Sequence, residues 1–94
     1  MIDYGTIFRD AISYLNRGNI ADAERSFRAV LQAQPDHVGA LNLLTICLIG
    51  MDRHREAEEF IERAVRINQS SDVSFYNYGL ILKKLGRSQE ARKV

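Results

Sequence analysis

His37, His54 and Cys47 are the residues with the most obvious capacity for chemistry, so their surroundings are the first test of function. His54 and Glu58 stand four residues apart, a spacing that puts an imidazole and a carboxylate on one helix face, where they could share a metal ion. Two ligands make a weak site, and an ordinary helix surface accounts for both residues. His37 follows Pro35 and Asp36 in a capping turn. Cys47 lies between Ile46 and Leu48 with no basic neighbour to hold a thiolate, which is the setting of a small packing residue rather than a nucleophile. As the lone cysteine it allows no intrachain disulfide and no cysteine-based zinc cluster. The glycines stand singly at turns and crossings, whereas a phosphate-cradling loop needs them clustered. The chain is therefore expected to be no enzyme, with no metal and no cofactor.

Charge points the same way. The run from Arg53 through Glu59, continuing to Glu62, Arg63 and Arg66, mixes signs. Glu59 with Arg63 and Glu62 with Arg66 are four-residue pairs of a solvated helix face, each worth a few tenths of a kcal/mol. Lys83, Lys84, Arg87, Arg92 and Lys93 make a basic end suited to an acidic partner. The net charge over the 94 residues is only +1, without the basic excess that displaces counterions from nucleic acid. An apolar share of 46% against 27% charged excludes a disordered chain and suits one domain. The start lacks a basic head and apolar core, and the apolar stretch near Leu43 to Gly50 is too short for a bilayer. No membrane partner and a cytoplasmic location are expected. The Asn68-Gln69-Ser70 acceptor pattern is then a chance match.

The elements that must position any site come from an internal repeat. Ala23, Ala57 and Ala91 stand 34 residues apart. So do Ala11, Thr45 and Gly79, all small, and the apolar set Tyr14, Leu48 and Leu82. Each unit reads as two amphipathic helices. The first runs from Asp3 or Tyr4 to Arg17, with Ile7, Ala11, Tyr14 and Leu15 on one face. Gly18-Asn19 breaks it, and Asn19 can cap a second helix whose inner face is Ile20, Ala23, Phe27, Val30 and Leu31. Pro35 stops that helix and Asp36 can cap the third, which carries Leu41, Leu44, Thr45 and Leu48. A turn from Gly50 to Arg53 leads to a fourth with Ala57, Ile61, Ala64 and Val65. Ser70, Ser71 and Asp72 are ready caps for a fifth, which Gly86 should end before Ser88 starts a sixth. Close approach of paired helices needs small residues at the crossing, so Ala11 with Ala23, Thr45 with Ala57 and Gly79 with Ala91 are the expected contact pairs.

This spacing, the small-residue pairs, the turn glycines and Pro35 resemble the tetratricopeptide repeat family over essentially the whole chain. The third unit is most similar, with Phe75-Tyr76-Asn77-Tyr78-Gly79, then Leu82, Gly86 and Ala91. The first carries Ala11 for the usual glycine. The second carries Thr45 for glycine, Asp52 for the turn glycine and Gln69 for the closing proline. The resemblance implies an all-α superhelix of stacked antiparallel hairpins, about two and three-quarter repeats at 4–37, 38–71 and 72–94. It also implies that the first helix of each unit lines a concave surface that binds a protein or peptide. Projection puts Phe8 and Ile12, then Asn42, Ile46 and Ile49, then Tyr76, Asn77, Leu80 and Lys83 on that surface, with the two asparagines able to bond a peptide backbone. Family members that grip acidic chaperone tails hold the terminal carboxylate with Lys, Asn and Arg. The matching places here are Phe8, Ile12, Leu43, Val73 and Asn77; none is cationic, so that binding is not expected. An amphipathic helix or hydrophobic strand fits better.

A sixth helix of barely two turns would leave part of Phe75, Tyr78 and Leu82 bare, so self-association into a homo-oligomer is expected through those residues. The segment from Pro35 through Leu44 is also similar to arrays that precede a glycosyltransferase or sulfotransferase domain in longer bacterial proteins. On that alternative the chain presents substrates or partners to a catalytic domain.

Overall fold

The computed structural model describes residues 1–92, with side chains through Gly86. Five helices follow one another: α1 (Tyr4–Asn16), α2 (Ile20–Ala33), α3 (Val38–Gly50), α4 (His54–Ile67) and α5 (Asp72–Arg92). No strand occurs among the described residues. Each helix packs on the next, and α3 also meets α1 and α5, so the hairpins stack in sequence order. The particle is elongated, 53 × 29 × 19 Å.

The 34-residue period reappears as hydrogen bonds. Gly18 takes a left-handed φ of 83°; its N–H donates to the Leu15 carbonyl at 3.1 Å, and the Asn19 N–H donates to the Tyr14 carbonyl at 2.8 Å. Thirty-four residues on, Asp52 has φ 61°, and the Asp52 and Arg53 N–H groups donate to Ile49 and Leu48 at 3.0 and 2.8 Å. Both are Schellman turns, which satisfy the last carbonyls of α1 and α3 and reverse the chain. The helix starts repeat as well. Asp3 Oδ1 accepts from the Gly5 N–H at 3.0 Å, His37 Nδ1 from the Ala40 N–H at 3.0 Å, and Ser71 Oγ from the Ser74 N–H at 3.2 Å. His37, not Asp36, therefore caps α3, because it is the last extended residue before the helix. Asn19 holds the cap position of α2 without a side-chain bond.

The core holds Ala11, Ala23, Phe27, Val30, Leu41, Leu44, Thr45, Leu48, Ala57, Ile61 and Ile81 without exposed surface. The small residues of the first two expected pairs are thus buried, where helices can approach closely. α3 is covered on nearly every side, as a helix apolar all round must be. Cys47 lies in that helix, fully buried, and burial, with the Glu24 charge, pushes its thiol up to about 11. The result is a neutral, inert thiol.

The expected turn at Gly86 is not made. α5 is one helix of 21 residues from Asp72 to Arg92, and Gly86 lacks the left-handed φ of Gly18 and Asp52. Continuing the helix adds one hydrogen bond per residue, whereas a new helix after a turn must be nucleated afresh. Gly79 and Ala91 consequently lie on the same helix, about 18 Å apart along its axis, and do not meet as a contact pair.

Candidate binding groove

α1, α3 and α5 lie side by side, with α2 and α4 behind them. On α1, Phe8 and Ile12 are half-buried. The Phe8 ring packs edge-on to Phe27, centroids 5.8 Å apart, and tilts against His37 at 4.5 Å. Gly39 makes room for this cluster: a Cβ there would lie 3.2 Å from both Phe8 Cζ and His37 Cε1. Phe8 is thus held against the same imidazole that caps α3.

The middle and far side are more open. Ile46 on α3 is 38% exposed and Tyr76 on α5 is 72% exposed, with Val73 beside it also open. Ile49 and Leu80 are half-buried and Lys83 is exposed. Phe75, Tyr76, Gly79, Leu80 and Lys83 line an open trough along α5. Tyrosine and lysine at the rim of an aliphatic floor can cover apolar groups while keeping hydroxyl and ammonium wet.

The two asparagines are placed differently from the projection. Asn42 is buried, and its Oδ1 accepts from Ser74 Oγ at 3.0 Å, which ties α3 to α5 behind the groove. Asn77 is only 4% exposed, and its Nδ2 has no hydrogen-bond partner among the described residues. Ser74, Asn77 and Ile81 recur at three- and four-residue steps, so they share the packed stripe of α5. That periodicity was the sequence signal that Asn77 faces inward. Tyr78 is half-buried too, its hydroxyl donating to Glu62 Oε1 at 3.3 Å across the α4–α5 contact. Burial chiefly, with the Glu62 charge next, pushes its phenol above the ordinary range.

The opposite face carries an ionic ring that local spacing does not reveal. Glu24 pairs with Arg28 at 2.9 Å and Arg53 at 3.0 Å, and Glu56 pairs with Arg28 at 2.8 Å and Arg53 at 2.7 Å. The ring joins α2 to the start of α4. The hydrogen bond from Arg53, then that from Arg28, holds the Glu56 carboxyl below its usual value. Arg28 and Arg63 flank the Phe60 ring, at 5.2 and 5.7 Å from its centroid. Arg63 therefore lies over an aromatic face rather than serving chiefly as a partner for Glu59. Glu62 accepts from Tyr78 across the α4–α5 contact, and the ring joins residues 28 or 29 apart in the chain, which stacked helices bring together.

The metal reading of His54 and Glu58 gains nothing from the geometry. His54 Nδ1 lies 3.3 Å from Asp52 Oδ1, and its Nε2 is buried without a partner among the described residues. Among those residues no three of His, Cys, Asp and Glu converge as a metal cluster requires. No helix of the described residues is long and apolar enough to cross a membrane.

Two profiles described as tetratricopeptide repeat match the chain, one over residues 14–74 and the other over 60–93. No curated protein matches the sequence closely enough to serve as a relative. Matches of that extent, on hairpins that stack in sequence order and share one turn geometry, lead to one conclusion: the chain belongs to the tetratricopeptide repeat family.

Proposed function

We propose that the face formed by α1, α3 and α5 binds a partner protein through an apolar segment, either an amphipathic helix or a hydrophobic strand. Repeats of this family generally mediate protein–protein interaction and are typically non-catalytic, which supports a scaffold over an enzyme. The observation that supports the groove reading is the exposure of Ile46 on α3 and of Tyr76 on α5, two large side chains on the face assigned to binding. Leu80 and Lys83 line the trough beside Tyr76 on α5, and Phe8 and Ile12 are half-buried on α1. Asn42 lies behind it, bonded to Ser74 in the α3–α5 contact, and Asn77 is packed inward.

The test is selection from a displayed peptide library, followed by titration of the selected peptides against variants. Tyr76→Ala and Ile46→Asp are each expected to weaken binding by about tenfold or more, the scale of a buried aromatic or aliphatic anchor, with helical circular dichroism unchanged. Equal affinity for both variants would remove the groove.

A second reading is self-association, favoured by Phe75 and Leu82, which remain 48% and 49% exposed on α5. Apolar side chains of this size on one helix face suit a protein contact.

A further inference from the structure

We infer that the segment held by the α5 trough is an amphipathic helix of a partner protein, lying antiparallel to α5, with a carboxylate in its first turn set against Lys83 and a cation in its last turn set against Asp72. This rests on the groove reading and names the partner's chemistry and direction.

What the trough can bond decides the backbone of its occupant. An extended segment brings one N–H and one C=O per residue, and these need partners once covered. The two asparagines suited to meet them are committed elsewhere: Asn42 Oδ1 accepts from Ser74 Oγ, and Asn77 is 4% exposed on the packed stripe. Phe75, Tyr76, Gly79, Leu80 and Lys83 line the trough, which leaves a hydroxyl and an ammonium as its side-chain hydrogen-bonding groups. The backbone groups of α5 bond within the helix and present no edge to a strand. A bound helix satisfies its own backbone and needs only apolar cover. The floor suits one as well. A Cβ at Gly79 would meet nothing within 4 Å, and helices approach closely where the crossing residue is small.

Charge sets the direction. Asp72 and Lys83 stand eleven residues apart on α5, which is three helical turns or about 16 Å, so they share a face with Tyr76 and Gly79 between them. Both are exposed, and neither has an ion-pair partner among the described residues. The neighbouring α3 carries no charged residue. The trough therefore has an acidic end at the start of α5 and a basic end three turns on. A helix is most stable with carboxylates in its first turn and cations in its last. Laid antiparallel to α5, such a helix puts its acidic end at Lys83 and its basic end at Asp72. Laid parallel, it meets like charge at both ends. Exchanging its charges to suit the parallel course would set each of them against the helix's own dipole.

The experiment titrates two synthetic helical peptides of about fifteen residues against the full chain at low salt. They share one leucine face and one composition. The first has Glu in its first turn and Lys in its last; the second has the two exchanged. The exchange also weakens the peptide's own helix, so the quantity read is the change in the ratio of the two affinities between parent and variant. The parent is expected to prefer the Glu-first peptide. Lys83→Glu, at an exposed position, should keep its helical circular dichroism and cut that preference about threefold or more, the scale of exposed pairs gained and lost. Asp72→Lys should cut it similarly from the other end. A ratio unchanged in both variants, with Tyr76→Ala still weakening both peptides, overturns the charge-set direction and leaves the groove standing. A ratio that rises in Lys83→Glu places the helix parallel and overturns the inference as well. An alternating Leu–Ser peptide that binds as tightly as the Glu-first helix overturns the helical occupant. Equal binding of the peptides by Tyr76→Ala and the parent, or no binding by either, removes the groove reading itself.

Discussion

Residues 48 and 82 hold the same place in the repeat and the same amino acid, yet Leu48 is fully buried and Leu82 is half exposed. The difference lies a few residues further along the chain. After Leu48 the backbone reaches Asp52, turns through a left-handed residue and returns as α4. After Leu82 it reaches Gly86 and runs straight on. Identical local sequence logic gives a core position in one case and a surface position in the other, because burial in this fold belongs to the hairpin and not to the helix. The first helix of a unit supplies only half of its own environment.

The largest expected effect tests that comparison directly. Leu48→Ala should cost about 2–5 kcal/mol, the range for a leucine removed from a packed core. Leu82→Ala should cost less than about 1 kcal/mol, since exposed substitutions do little. Urea unfolding followed by helical circular dichroism reads both. Similar losses at the two sites would mean that α5 is covered in the monomer, and the contrast would collapse.

Much of this architecture is legible in the residues. The 34-residue period, the small buried pairs Ala11/Ala23 and Thr45/Ala57 and the buried Cys47 all follow from spacing, because helix faces are set by local periodicity. The turn at Gly86 was legible too, and misleading. Glycine permits a left-handed turn and does not compel one; at Gly86 the helix runs on instead. Asn42 shows a different limit. Projection sets it on the open face, whereas its burial against Ser74 Oγ depends on how α5 docks on α3, a relation 32 residues long. The ring of Glu24, Arg28, Arg53 and Glu56 escapes a reading confined to four-residue steps for the same reason.

The turns give the next sharpest test, with effects near 1 kcal/mol. Gly18→Ala should destabilise by about 1–2 kcal/mol, because an L-residue is strained at φ 83°. Asp52→Gly should stabilise by up to about 1 kcal/mol by relieving the same strain. Gly86→Ala should behave oppositely to Gly18→Ala and gain about 1 kcal/mol, since alanine favours a helix interior and nothing lies within 4 Å of the added Cβ. Thermal or urea midpoints for the three variants rank them. A loss at Gly86→Ala matching that at Gly18→Ala would reveal a third left-handed turn and bring the two regions into line.

The smallest effect concerns the ionic ring that locks α2 to α4, where each exposed pair contributes only about 0.2–1 kcal/mol. Arg53 and Arg28 hold the Glu56 carboxyl below its ordinary value, so the folded state favours the charged form. The contribution is accordingly complete above the unfolded value, near 4.5, and is lost as pH falls through the lower folded value. Glu56→Gln should therefore be slightly less stable than the parent at pH 7, and the gap should close in acid, once the pH lies below the lowered folded value and the parent carboxyl is also neutral. High salt at pH 7 should narrow the same gap, because these side chains are partly exposed and screened. The urea midpoints of parent and variant at both pH values settle the matter. A gap that persists undiminished in acid would assign Glu56 a packing role, and the second-helix step between α2 and α4 would then be held by apolar contact alone.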